Sequence, residues 1–123
     1  MKNEDRYSIS TDVLFNHLDL IDVQKIINES QKKWQNYSLC RVNDSVVRLG
    51  IIQGEFHWHK HDSGDEFFLV LEGKLIVEFE NNEIKLSPLQ SIVVPKGMMH
   101  KTKASERTAI LMIEDYLVKP TGD

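Results

Sequence analysis

The 123 residues include a single cysteine, Cys40, so no disulfide forms within the chain and a reducing compartment is the natural expectation. No apolar run approaches the ~20 residues of a membrane-spanning helix. The charged start Met1-Lys2-Asn3-Glu4-Asp5-Arg6 is unlike a secretory leader, and a cytoplasmic protein follows as the expectation. Basic character is also missing. Lysine and arginine number 15 against 19 acidic residues, both signs interspersed, for a net charge of −4. With no basic face, nucleic acid and anionic membrane are poor partners. Neither a glycine-rich phosphate loop nor a nucleophile elbow is present, and Cys40 has no histidine near it in sequence, which argues against phosphate-loop chemistry and a Ser or Cys hydrolase. No repeat or low-complexity tract breaks the chain, and its length suits one domain with one core.

What is present is a set of short strand-like segments, at 37–42, 46–52, 67–71, 75–79, 84–86, 92–94 and 108–113. Turn signals separate them at Asn43-Asp44, Asp62-Ser63-Gly64-Asp65, Glu72-Gly73, Asn81-Asn82, Ser87-Pro88 and Pro95-Lys96-Gly97. Many short strands at near-even spacing predict an all-β sandwich or barrel. Before them, Val23, Ile26, Ile27, Ser30 and Trp34 fall at helical spacing, with Asp22 as the N-cap and Lys32 and Lys33 at the C-terminal end. The spacing predicts an amphipathic helix of about three turns lying over one end of the barrel. Residues 1–12 read as a polar arm or an added strand, and 13–20 as a helical turn or an irregular packed segment. The expected division is thus an arm and helix at 1–36 and a barrel at 37–123.

The densest chemistry lies at Gly54-Glu55-Phe56-His57-Trp58-His59-Lys60-His61-Asp62-Ser63-Gly64-Asp65-Glu66. On an extended strand His59 and His61 share a face, one repeat of roughly 7 Å apart. The turn that follows brings Glu66 beside them, and a second turn, Pro95-Lys96-Gly97, delivers His100. Three imidazole nitrogens and one carboxylate oxygen suit one divalent transition metal: Fe, Mn, Ni, Co, Zn or Cu. Four such ligands leave two octahedral positions open, as a metal that activates water, a carbonyl or dioxygen requires.

The pattern His59-x-His61-x4-Glu66-x6-Gly73, followed by Pro95-x-Gly97-x2-His100, resembles both signature motifs of the cupin family over about residues 45 to 114. Leu89 and Ala104 stand where that family usually carries a glycine and an asparagine. The resemblance implies a double-stranded β-helix, or jelly-roll, barrel with those four side chains on one metal inside it. It further implies a homodimer, or a strand-exchanged pair. The small mannose-6-phosphate isomerase-like cupins make isomerase, dioxygenase, lyase or cyclase chemistry on a small polar metabolite possible. A non-catalytic barrel that binds a small molecule or a metal is the alternative.

Other residues follow from strand parity. His57 shares the parity of the ligands and suits an alternative ligand, a substrate contact, a proton carrier or a solvated rim position. By strict alternation Gln53 and Glu55 also face inward; a bulge at Gly54 would instead turn Arg48 inward as an anchor for a carboxylate or phosphate. Phe68 and Met98 are candidate pocket walls, and Tyr116 either closes over the mouth or anchors the tail. Candidate acid–base groups are therefore His57, Glu55 and Tyr116. Phe56 and Trp58 are expected to face outward, under the helix or a second copy of the chain.

Overall fold

The structure, a computed structural model, describes residues 7–123. Its elements are β1 (Ser8–Val13), α1 (Val23–Glu29), β2 (Gln35–Val42), β3 (Ser45–Glu55), β4 (Glu66–Glu72), β5 (Leu75–Glu78), β6 (Glu83–Leu86), β7 (Ser91–Val94) and β8 (Lys101–Asp115). Part of the expected N-terminal arm lies outside the described residues. The all-β jelly roll expected from the sequence is what the chain forms, and no described helix is long and apolar enough to cross a membrane.

One path of paired strands runs β1-β2-β3-β8-β4-β7, and the β5–β6 hairpin joins it at β8. The long β8 serves both layers. Lys101, Thr102 and Lys103 pair with β5, whereas 108–115 lie between β3 and β4. At the corner the ladder slips, and Gln53 alone lies opposite Ser105, Glu106 and Arg107. The entry to β5 needs Gly73: at φ +85° a side chain there is strained, and its Cβ would lie 2.8 Å from the Arg107 carbonyl oxygen.

Two apolar clusters hold the fold. Phe68, Val70, Leu75, Val77, Leu86, Ile110 and Met112 fill the barrel, while Ile27 of the helix packs with Leu39, Leu49, Ile51 and Ala109 on its outside. The helix begins where expected, the Asp22 carboxylate accepting from the Lys25 amide at 3.1 Å. It runs two turns rather than three. The chain turns extended at Ser30, and Arg107 donates to the Ile27 and Ser30 carbonyls at 2.8 and 3.0 Å. Lys32 and Lys33 thus lie beyond the helix, and Trp34 packs inside the barrel.

Phe56 corrects the expected parity. It is buried inside its own chain, with ring centroids 4.8 Å from Tyr7 and 5.4 Å from Trp34, so it needs no partner to cover it. Trp58 remains half exposed, with the Lys101 ammonium 5.9 Å from its ring. Along β3 the inward residues are Arg48, Gly50 and Ile52, and the same phase carries on to Phe56. Gln53 and Glu55, read inward by strict alternation, are exposed. The phase changes between Phe56 and His59, where the chain leaves regular strand, and not at Gly54.

Candidate metal centre

His59 and His100 face each other across an isolated bridge in which each backbone N–H donates to the other's carbonyl at 2.9 Å. Glu66 opens β4, and His61 lies just before the turn that leads to it. The two motifs are tied by the Gly97 amide donating to the His61 carbonyl at 2.8 Å and by the Lys96 amide donating to Asp65 at 2.9 Å. As a result one ligand atom from each of His59, His61, Glu66 and His100 lies within 4.8 Å of every other. All four residues are buried.

Backbone carbonyls set the tautomers of two rings. His59 Nδ1 lies 2.9 Å from the His57 carbonyl and His100 Nδ1 lies 2.9 Å from that of Met98. A carbonyl only accepts, so each Nδ1 carries a proton, and in the neutral ring each Nε2 is left as a lone pair. His61 Nε2 and His100 Nε2 lie 3.1 and 3.3 Å from Glu66 Oε1, yet none of these three atoms has a partner in hydrogen-bond geometry. Orphaned buried polar atoms are costly. Adjacent ligands of an octahedral ion with ~2.1 Å bonds lie about 3 Å apart, so these spacings suit a common ion. The group could hold a metal.

The electrostatics agree with that reading. Burial holds the His59 imidazole neutral, its pKa lowered to about 4. For Glu66 burial alone would raise the pKa, but His100 and His61 outweigh it and hold the carboxyl well below the usual range. Burial likewise opposes the charged form of His100, whose pKa is nonetheless raised by Glu66 and the Met98 carbonyl. Glu66 therefore stays anionic at neutral pH.

A second carboxyl stands behind the first. Glu114 pairs in register with Glu66 and is buried, its pKa raised to about 9 by burial and by the Glu66 charge. Its carboxyl accepts a hydrogen bond from the buried Arg48 guanidinium, which pulls the other way. Burial is the stronger influence, and Glu114 Oε2 has no partner. Arg48 also donates to Ser38 Oγ at 3.2 Å and to the Val118 carbonyl at 3.4 Å. It does turn inward, yet with these partners it is not a free anchor for an anion. Glu114 and Asn36, whose amide oxygen is also buried without a partner, line a cavity of about 40 Å³ with His59, Glu66, Phe68 and Pro120.

Neither was singled out from the sequence. The signal for Glu114 was available: it continues the inward phase of Ile110 and Met112, one residue beyond where the strand was expected to stop. Asn36 carries no comparable signal.

The other candidates are dispersed. Glu55 is exposed and pairs with Lys101 at 2.7 Å. Tyr116 lies under the Arg41 guanidinium, 3.8 Å from its ring centre. His57 Nε2 lies 2.7 Å from the Thr121 carbonyl. Phe68 lines the cavity, whereas the half-exposed Met98 side chain lines an open groove of about 870 Å³ that contains none of the four ligand residues.

A family model described as a cupin domain matches residues 47–114. The chain is 42% identical over 90 residues to YdbB, an uncharacterized protein of Bacillus subtilis, covering 72% of this chain and 80% of that protein. Among solved structures it is similar to a cupin-2 domain containing protein from Shewanella frigidimarina, with TM-score 0.74, 33% identity, and 78% and 94% of the two chains covered. A cupin superfamily protein from Desulfitobacterium hafniense shares the fold, with TM-score 0.68 at 18% identity over 81% and 93% of the chains. With the family model covering more than half of the sequence, the chain belongs to the cupin family.

Proposed function

We propose that this cupin binds one divalent transition metal through His59, His61, Glu66 and His100 and acts as a small metalloenzyme on a small polar metabolite. The observation that carries the reading is the convergence of orphaned Nε2 and Oε1 atoms in a buried site. When bound, the ion would supply Lewis acidity at positions the four side chains leave free.

The chain's own residues do the rest. The Nδ1–H groups of His59 and His100, held by carbonyls, keep their Nε2 atoms pointed at one place. Phe56, Phe68, Ile110 and Met112 supply an apolar part of the cavity wall, which strengthens the charge interactions beside it. Glu114, whose pKa of about 9 leaves it protonated at neutral pH, carries a proton in the cavity wall. No lysine or arginine lines the cavity among the described residues, which favours a neutral hydroxylated or carbonyl compound over an anion.

A binding role without turnover is the second reading, favoured by the small cavity and by the absence of His57, Glu55 and Tyr116 from its lining.

The test is metal analysis of the purified full chain. One equivalent of a divalent transition metal is expected, and His59→Ala and His100→Ala are each expected to lose it while keeping the strand signature in circular dichroism. Unchanged metal content in both variants would reject the site.

A further inference from the structure

A cavity of about 40 Å³ has room for little more than one or two water molecules, so no metabolite fits beside His59 and Glu66 in it while it keeps this shape. One of its walls is a short segment with few attachments. Pro120 lines the cavity, and the segment around it, residues 119–123, lies across the loop that carries His59 and His61.

The attachments are few and specific. The Thr121 carbonyl lies 2.7 Å from His57 Nε2, the Asp123 amide donates to the Lys60 carbonyl at 2.8 Å, and the Asp62 amide donates to the Asp123 carboxylate at 2.6 Å. Gly122, at φ +93°, lies against the His59 side chain: a Cβ there would be 2.5 Å from the Cβ of His59. Only a glycine allows so close an approach. The base of the segment is fixed by Val118, 2% exposed, whose amide donates to the Asp115 carbonyl at 2.9 Å. Beyond it Lys119, Thr121 and Asp123 are exposed, so the segment is held by a handful of hydrogen bonds rather than by a core.

We propose that residues 119–123 form a strap that closes the metal cavity and must lift from the His57–Asp62 loop to admit or release a ligand. The inference rests on the metal-site reading above and adds how that site is regulated. Segments with few buried contacts open at a small fraction of the global unfolding free energy. Lifting removes the Pro120 wall, exposes the outer face of His59 and frees the His57 imidazole, which the strap otherwise occupies.

The test uses the full chain loaded with Co²⁺, with release to excess EDTA followed by loss of the visible absorption. Gly122→Val leaves no room for the seated strap and is expected to speed release about tenfold, the equivalent of losing one or two hydrogen bonds, with the absorption spectrum unchanged. Asp123→Ala is expected to give a smaller gain, and Asp123→Asn, which keeps an acceptor for the Asp62 amide, to return the rate to near that of the unaltered chain. Equal release rates in all of these folded proteins would overturn the strap.

Should Gly122→Val not fold, hydrogen exchange in the unaltered protein decides. The Asp62 and Asp123 amides are expected to exchange together and far faster than that of Ile110 in β8; exchange as slow as Ile110 overturns the proposal. A chain that retains no Co²⁺ at all rejects the metal reading, and the exchange measurement still decides the strap.

Discussion

The two ends of the barrel are built from the same strands on opposite terms. Along the inward face of β4 the side chains run Glu66, Phe68, Val70, and along that of β8 they run Glu114, Met112, Ile110. At the apolar end Val70 meets Leu75 and Val77, each 0% exposed, and the β5–β6 hairpin closes it with Leu86. Four residues along the same strands, the interior holds two carboxyls, three imidazoles and a guanidinium, with several of their polar atoms unpartnered. Apolar packing at one end stabilises the fold, and that surplus lets the other end keep buried charge that costs stability. The site thus joins buried polar residues of β3, β4 and β8 to three histidines carried between strands.

The most severe way to break this contrast is at the buried pair. Arg48→Leu leaves the buried Glu114 carboxyl without its hydrogen-bond partner and is expected to destabilise by about 3 kcal/mol. If the polar end is a cost held for function, the double variant Arg48→Leu/Glu114→Leu recovers most of that loss in urea denaturation. A double variant as unstable as the single one would mean that the pair itself stabilises the barrel.

The next effect is pH dependence of the metal-free protein. His59 is held neutral in the fold, at a pKa of about 4 against 6.5, so the unfolded chain binds the extra proton in that interval. Stability is therefore expected to fall as pH drops from 6.5 to about 4, by up to ~3 kcal/mol. His100, with its pKa raised, works in the opposite sense: its contribution is complete below 6.5 and is lost as pH rises above it. Thermal midpoints measured across pH should show both limbs, and His59→Leu should flatten the acid one. Valine at position 77, among apolar neighbours, gives no such limb when changed to alanine.

The smallest effect sits outside both ends. Leu89, where the family usually has glycine, takes a left-handed backbone at φ +68°, and its side chain is 79% exposed. Leu89→Gly is expected to stabilise by about 1 kcal/mol, read from the denaturation midpoint, because the strain is relieved and no packing is lost. A loss of stability there would show that the turn tolerates the leucine without strain.

Much of this was legible in the sequence. Turn residues at Asp62–Asp65, Gly73 and Pro95–Gly97 separate the strands, and the three histidines and the glutamate picked out by their spacing do converge in one buried group that could hold a metal. What was less legible follows from tertiary context. Helical periodicity continued to Trp34, but the aromatic cluster with Tyr7 and Phe56 draws that indole into the barrel and ends the helix at Glu29. Alternation read backward from the histidines put Gln53 and Glu55 inside, because the irregular step between Phe56 and His59 leaves no mark in composition. Glu114 was passed over because a charged residue usually ends an apolar strand, whereas here the strand continues and buries it against Arg48.

The most direct measurement of the central claim is titration of the metal-free chain with Co²⁺, followed by its visible absorption. The expected result is one saturating equivalent per chain, with the signal abolished in His100→Ala and reduced in Glu66→Gln. A signal that never saturates, or one that persists unchanged in both variants, would contradict a metal centre at His59, His61, Glu66 and His100.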